Sequence, residues 1–358
     1  MTRLGDVCAI RYGKDHKKLS DGSIPTYGSG GIMRYVDTAI CEQPSVLIPR
    51  KGTLGNLFYT DEPFWTVDTL FWTDIDQTKI VPKYLYYQLK QKDLASYNVG
   101  TAVPSLTVEV LNEIDLDVPS IDKQRRIVEV LNSVDSKIAL NNQLNDYLAN
   151  LCETIASRYC NDRNSRLRDI CYQVADHVDY DNANQETYVS TESLMQNKGG
   201  RQLASSLPTT GKITRYKAGD TLISNIRPYF KKIWYAPFEG TCSGDVIVFR
   251  ANDPSNAPYL HACLRQDSFF DYVMQGAKGT KMPRGDKKQM MEFKVASSCS
   301  AEDLILLDSV IKQRSDNDSE ITKLQKLRDT LLPKLMSGEI DVSKIDLTQL
   351  TNNHLADC

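Results

Sequence analysis

Arg3-Leu4-Gly5-Asp6-Val7-Cys8 returns as Arg166-Leu167-Arg168-Asp169-Ile170-Cys171. Three further pairs keep the same order while the loops between them change length. Val46-Leu47-Ile48-Pro49-Arg50 resembles Thr221-Leu222-Ile223-Ser224-Asn225-Ile226-Arg227, in each case an apolar strand running into an arginine. Gly100-Thr101-Ala102-Val103-Pro104 matches Gly279-Thr280-Lys281-Met282-Pro283, and Leu148 to Ile155 matches Leu324 to Leu331 without a gap. Four matches in register make the chain a duplication. The repeat is far longer than the roughly 20 to 50 residues of a solenoid unit, so each copy is expected to fold as a module with its own core.

Each copy opens β-rich and closes on a long helix. Ser45-Val46-Leu47-Ile48-Pro49 and Asp68-Thr69-Leu70-Phe71-Trp72 are short apolar runs bounded by Gly, Pro and Asp, which predicts strands. Pro82 to Lys92 reads as helix through Tyr84, Leu85, Tyr87 and Leu89, and Ile114 to Val118 alternates as a half-buried strand that Pro119 ends. From Ile121 to about Tyr159 the period changes. Ile127, Leu131, Val134 and Ile138 form a stripe that resumes with Leu144, Leu148, Leu151 and Ile155. That is a heptad-like seam on a helix of roughly 55 Å. Leu307, Val310, Leu324, Leu327 and Leu331 lie in the matching seam of the second copy, where Arg314 and Asp316-Asn317-Asp318 predict a bend or fray. Gly338 reads as a helix C-cap. A stripe this long must be buried, and the other stripe is its natural partner. The expected fold is α+β: two duplicated mixed α/β modules joined by two long antiparallel helices as a coiled coil, a pseudo-twofold dumbbell. Its parts are residues 1–120, the helix 121–160, residues 161–300, the helix 301–338 and a polar tail, 339–358.

Composition narrows the function. Apolar residues at 41% and charged residues at 25% describe a globular chain. Met1 to Asp6 shows no basic stretch leading into an apolar core, and the nine cysteines never fall into Cys-x-x-Cys spacing, so reduced thiols in a cytoplasm are expected, without a zinc site. The formal net charge is -3, yet residues 161–300 hold 19 Lys+Arg against 15 Asp+Glu, a net of +4, while residues 1–120 hold 12 against 15, a net of -3. The copies share a frame and differ in surface.

Duplicated modules that each end in a long helix resemble the specificity subunit of type I restriction-modification systems. The resemblance rests on Tyr27-Gly28-Ser29-Gly30-Gly31-Ile32, Leu47 to Gly52, Ile114 to Pro119, Gln124-Arg125-Arg126-Ile127-Val128 and Leu335-Met336-Ser337-Gly338-Glu339-Ile340. It implies that each module is a target recognition domain reading one half of a split, asymmetric double-stranded DNA site, with the helices setting the unread spacer. It also implies two docked methyltransferase subunits, nuclease-translocase subunits in the full complex, and no catalysis or cofactor in this chain. Half-sites read from one face recur about every 34 to 36 Å, a distance that a rod of this size can separate.

Phosphate contacts set affinity and base-edge contacts set specificity. The loop Gly276 to Lys288 carries Lys278, Lys281, Arg284, Lys287 and Lys288 among glycines and is the first candidate surface. The equivalent first-copy loop, Gly100 to Val110, has no cation and offers Ser105, which predicts a stronger phosphate grip in the second module. Arg50 with Lys51, and Arg227 with Lys231 and Lys232, follow a strand, and arginine bidentate to guanine is the commonest specific contact. The alternative for Arg50 and Arg227 is pairing with Asp68 or Asp245. Lys212 and Arg215 are expected on phosphates, and Tyr27, Ser29 and Arg34 form a further patch.

Enzyme signatures are sparse. The sequence has neither an Asn/Asp-Pro-Pro-aromatic motif nor a Gly-x-x-x-x-Gly-Lys-Ser/Thr loop, and its four histidines are scattered. Asp286 followed by Glu292-Phe293-Lys294 imitates a Mg-dependent nuclease pattern. The aligned Thr107 and Glu113-Ile114-Asp115 supply no lysine, and Asp286 suits a helix N-cap. A coiled-coil scaffold without DNA readout is the remaining alternative.

Overall fold

A computed structural model describes residues 2–100, 103–159, 162 and 164–345. Thr101 and Ala102 of the Gly100–Pro104 repeat, and the tail from residue 346, lie outside the described residues. The chain divides into two compact units. One holds the residues up to Ala139 and from Thr322 onward, the other Leu140–Ile321.

The two units are built on the same hydrogen bonds. In the first, Thr2–Arg3 pairs antiparallel with Asp115–Leu116, a single turn of helix follows over Leu4–Val7, and the Leu4 N–H reaches the Ile114 carbonyl at 2.9 Å. In the second, Ser165–Arg166 pairs with Lys294–Val295, the turn spans Leu167–Ile170, and the Leu167 N–H reaches the Phe293 carbonyl at 2.9 Å. Each unit then forms a four-stranded antiparallel sheet of one topology: Cys8–Tyr12, Leu70–Ile75, Ser45–Pro49, Phe58–Thr60 in the first, and Cys171–Gln173, Val246–Ala251, Thr221–Ser224, Ile233–Tyr235 in the second. Ser45–Pro49 is buried throughout, as its unbroken apolar run requires of a strand covered on both faces. Its one hydroxyl is satisfied: Ser45 Oγ donates to the Thr73 carbonyl at 2.8 Å and accepts from the Thr73 N–H at 2.9 Å. The expected helix is present as Pro82–Lys90, with proline at its first turn.

A second, smaller sheet is where the units part. Both keep a short parallel pair, Thr26-Tyr27 beside Trp65-Thr66 and Tyr188-Val189 beside Thr241-Cys242. The first unit adds the bulged hairpin Asp21–Gly28/Gly31–Val36, while the second adds Lys212–Tyr216 and His177–Asp179 on the other side of Gly240–Cys242.

The long helices run Ile121–Ser157 and Ala301–Ser337, 37 residues each, and the second passes through Arg314–Asp318 unbroken. Within each unit their segments lie antiparallel: Asp135 meets Arg328 at 3.3 Å in the first, and Asn141 meets Glu320 at 2.7 Å in the second. In the first unit Ile127, Leu131, Val134 and Ile138 are buried, and Leu332, Leu335 and Met336 join Ile127, Val130 and Leu131 in one core with the sheet and the Pro82–Lys90 helix. In the second, Ile155 with Cys152, and Leu307 with Val310 and Ile311, join the core built on Phe249 and Phe269, and Leu148 and Leu151 pack half-buried against it.

Two expectations about the seam need correction. The stripe does not resume at Leu144, which is 38% exposed; its alternating steps of four and three continue through Asn141 and Asn145, both buried. In the second helix the inward position falls on Arg328, leaving Leu327 40% exposed and Leu324 and Leu331 half-buried. Arg328 and Tyr87 both bind the Asp135 carboxylate, so that layer is polar. The polar run of the second helix is likewise used inward. Asn317 donates to the Asn145 side-chain oxygen at 2.9 Å, and Asn145 donates to Asp318 at 2.7 Å, and the helix is continuous where a fray was expected. Leucine content marked the stripe only where the layers are apolar.

Gln124 explains the Gln-Arg-Arg-Ile-Val segment. Fully buried, it accepts from the Val81 N–H at 2.8 Å and donates to the carbonyls of Pro119 and Lys79, fastening the helix start to its module. Arg126 donates to the Ile345 carbonyl at 2.8 Å, and Val342 is buried, so residues 339–345 pack against the first unit's core rather than forming part of a polar tail. Gly338 does take the left-handed conformation, φ +77. Five of the described cysteines are buried, and burial pushes the Cys8 and Cys171 thiols up to about 12. Among the described residues no helix is long and apolar enough to cross a membrane.

Candidate nucleic-acid interface

The candidate surface of each unit begins where the central strand leaves its sheet. There the chain pairs with the segment ahead of a short helix. In the first unit the Leu106 N–H meets the Arg50 carbonyl at 3.0 Å and the Gly52 N–H meets the Pro104 carbonyl at 3.1 Å. In the second, the Gly285 N–H meets the Asn225 carbonyl at 3.2 Å and the Arg227 N–H meets the Pro283 carbonyl at 2.8 Å. Arg50 therefore corresponds to Asn225, and Gly52 to Arg227. The two arginines that sequence similarity aligned are two positions apart.

The true counterparts share a backbone conformation. Gly52 has φ +90, and Arg227 has φ 50 and ψ 63. Glycine enters this region readily, whereas an L side chain there costs about 1–2 kcal/mol. Among the described residues four non-glycine positions take positive φ, namely Asn197, Lys198, Arg227 and Lys231. All four belong to two loops that bond each other, the Asn197 N–H to the Phe230 carbonyl and the Lys198 N–H to the Lys231 carbonyl. Asp267 binds both Lys198 and Lys231, and those two cations hold its carboxyl below the usual range. Tyr229 stands exposed at the tip of this turn. Strain of this kind persists where surrounding structure over-determines it, and it concentrates at functional sites.

The cations of the second unit gather beside this turn. Isolated bridges join Ile226 to Arg284 and Lys278 to Arg284, which brings the Lys278–Lys288 loop against Arg227. Lys278 pairs with Asp286 at 3.4 Å while its side chain stays 84% exposed, and Arg284 pairs with Asp245 at 3.1 Å. Exposed pairs like these stabilise by about 0–1 kcal/mol, so a phosphate can displace either carboxylate. Lys281, Lys287 and Lys288 are exposed. The remaining expected contacts stand elsewhere. Lys212 and Arg215 lie on the small sheet, Lys212 paired with Asp179 at 2.8 Å. Lys232 turns to the Thr191 carbonyl at 2.6 Å, and desolvation lowers its pKa.

Asp286 is the N-cap of the helix Lys287–Met291, accepting from the N–H groups of Gln289 and Lys288. Those bonds, with Lys278, hold its carboxyl below the usual range. Glu292 is bound by Arg166 and Arg168, just as Glu113 is bound by Arg3 in the first unit. The nuclease-like spacing thus follows from a cap and a repeated ion pair.

In the first unit Arg50 donates to the Asp68 main-chain carbonyl at 3.1 Å, and its guanidinium stands 5.3 Å from the centre of the Tyr12 ring. Neither carboxylate pairing considered from the sequence forms: Arg50 takes a carbonyl, and the partner of Asp245 is Arg284. Lys51 is exposed and bridged through its backbone to Ser105, the counterpart of Arg284. Tyr27 is half-buried against Phe58, Ser29 accepts through its carbonyl from Asn56, and Arg34 is drawn off to Asp21 at 2.6 Å. An open cleft of about 730 Å³ lies beside Arg50, lined by Asp15, His16, Lys17, Ser29, Met33 and Asp68. Sequence reasoning missed this loop, although Lys14-Asp15-His16-Lys17-Lys18 is a visible cationic run. It has no counterpart in the repeat, and a net negative module hid it.

Residues 1–150 match the family model described as the type I restriction modification DNA specificity domain. The chain is similar to type I restriction-modification specificity subunits. It is 25% identical over 177 residues to a type I restriction enzyme specificity subunit of Haemophilus influenzae, a match covering 44% of this chain and 44% of that relative, less than half the relative's length. It is 19% identical to the EcoDI specificity subunit of Escherichia coli over 395 aligned positions, 94% of this chain and 87% of that one. The crystal structure of a type I restriction-modification system S subunit from M. genitalium has the same fold, with a TM-score of 0.55 at 16% identity over 93% of this chain and 95% of that one.

Proposed function

We propose that this chain is the DNA-reading subunit of a type I restriction-modification complex, without catalytic chemistry of its own. Each unit reads one half of a split, asymmetric duplex site, and the two long helices set the spacer. The observation that carries this reading is the pair of junctions just described. The backbone bonds are the same in both units, while the side chains they present differ: Gly52 against Arg227, Ser105 against Arg284, Arg50 against Asn225. One frame offering two sets of contacts suits two readers of one kind of ligand, and unlike readers give unlike half-sites. Arg50, Lys51, Arg227, Lys278, Lys281, Arg284, Lys287 and Lys288 are the contacts best placed for DNA. Lys212, Arg215, Ser105, Tyr27 and Ser29 are secondary, and Arg34, Lys231 and Lys232 serve mainly to hold loops.

Methyltransferase subunits would dock on the helices, with nuclease-translocase subunits joining the full complex. Leu140, Leu144 and Tyr147 line one helix face at steps of four and three and are all exposed, which suits a protein partner. The test is genome-wide mapping of methylated adenines in the host, with and without the gene, followed by exchange of residues 161–300 for the matching domain of a relative. One half-site should change and the other persist. Methylation independent of the gene, or both half-sites changing together, would refute the reading.

A further inference from the structure

We propose that the loop Lys14–Lys18 is the phosphate-gripping element of the first unit, holding the duplex backbone at the rim of the cleft beside Arg50. This rests on the DNA-reading function proposed above, and it gives a grip of its own to the unit in which the sequence predicted the weaker one.

The loop is built as a fixed base with a charged tip. At its base the Gly13 N–H bonds the Leu70 carbonyl at 3.1 Å, the Lys14 N–H bonds the Thr66 carbonyl at 2.8 Å, and the Trp65 indole donates to the Lys14 carbonyl at 3.0 Å. Gly13 approaches so closely that a Cβ there would lie 2.0 Å from the Val67 carbonyl oxygen. At its tip Asp15 accepts from the Lys17 N–H at 3.1 Å, and the Leu19 N–H closes a turn on the His16 carbonyl at 3.1 Å. Lys14, Lys17 and Lys18 are exposed, and none has an ion pair among the described residues.

That sets them apart from five of the thirteen cations singled out by sequence. Arg34, Lys212, Lys231, Lys278 and Arg284 each face a carboxylate. Lys14, Lys17 and Lys18, together with Arg50 and Lys51, outnumber the two cleft carboxylates, Asp15 and Asp68. The tip is pre-ordered, so little conformational entropy is lost on binding. His16 lies in the cleft wall with a buried Nδ1 that makes no hydrogen bond among the described residues. A lysine tip beside an arginine, a histidine and a serine gives the arrangement a half-site needs, with backbone contacts outside and polar readers within.

The test uses the full chain assembled with its methyltransferase subunits, and duplexes carrying the mapped site or a random sequence. Lys14→Gln, Lys17→Gln and Lys18→Gln are combined, and thermal denaturation checks folding. The slope of log K against log salt should become shallower by roughly 0.9 for each phosphate that the variant no longer neutralises, up to about 2.7. Affinity should fall alike for both duplexes, leaving sequence preference unchanged. An unchanged slope in a folded variant overturns the loop's role while leaving the DNA-reading function standing. A loss confined to the mapped site overturns it too, because the lysines would then be reading bases. If the unsubstituted complex binds neither duplex, the parent reading fails and this one falls with it.

Discussion

Replacing Arg227 by glycine should make the protein more stable and its DNA binding weaker. Relief of the left-handed backbone at φ 50 and ψ 63 contributes about 1–2 kcal/mol. Against this, the greater freedom of glycine in the unfolded chain costs about 0.4–1 kcal/mol. Arg227 Nε is buried and makes no hydrogen bond among the described residues, so removing the side chain gives up no bond there. The net is a gain of about 0.5–1 kcal/mol, and at about 2–4 °C per kcal/mol for a unit of this size the midpoint should rise by about 1–4 °C. Loss of an arginine bidentate to a base would remove about 1–3 kcal/mol of discrimination, about 5- to 150-fold in affinity for the mapped half-site. Thermal denaturation of the full chain and a binding titration of the assembled complex are the two assays. The reciprocal change, Gly52→Arg, should lower the midpoint, since a Cβ there meets only Ser29 Oγ at 3.9 Å and the cost is conformational. A lower midpoint for Arg227→Gly would refute the strain argument by making the arginine structural. A higher midpoint with binding unchanged would refute its role on DNA.

The asparagine layer and the buried histidine give two further expectations. Asn145→Leu removes the donor to Asp318 and the acceptor of Asn317, and should cost about 1–3 kcal/mol; adding Asn317→Leu should recover part of that in a double-mutant cycle by chemical denaturation, and strict additivity would show that the two amides act independently. His261 is buried, shares a hydrogen bond with Thr221 at 3.2 Å, and has its pKa pushed well below 6.5 by desolvation and by Arg265 and Arg314. The unfolded chain therefore binds a proton that the folded one refuses below about pH 6.5, so this contribution to stability is whole above that pH and is lost as pH falls, by at most about 1.4 kcal/mol per unit. His261→Gln should flatten that slope in urea midpoints measured from pH 7 to 5, and an equal slope in both proteins would assign the acid sensitivity to other groups.

The repeat was legible because it is carried by residues whose packing leaves little choice: Leu4 and Leu167 are fully buried, and the Asp6 and Asp169 carboxylates return to the N–H groups of Arg3 and Arg166. The helices were legible to within three residues for the same reason. Their apolar stripes have a period that only a helix can bury. Polarity at the seam was harder to read, because Asn145, Asn317 and Arg328 occupy inward positions through specific partners on the facing helix, and hydrophobic periodicity carries no information about hydrogen bonds across a pair. The proposed DNA surface was the least legible part. Which arginine aligns with which depends on the main-chain bonds at Gly52 and Arg227, and a glycine and an arginine look unrelated until their shared positive φ is seen. The Lys14–Lys18 loop shows the converse. Its charge is plain in the sequence, but its significance depends on which lysines lack a carboxylate neighbour. Counts of charge weigh every lysine equally, whereas only a cation without a partner in the fold offers its full field to a phosphate, and on the reading proposed above this unevenness is how a module with a net charge of -3 over residues 1–120 would carry a polyanion-binding edge.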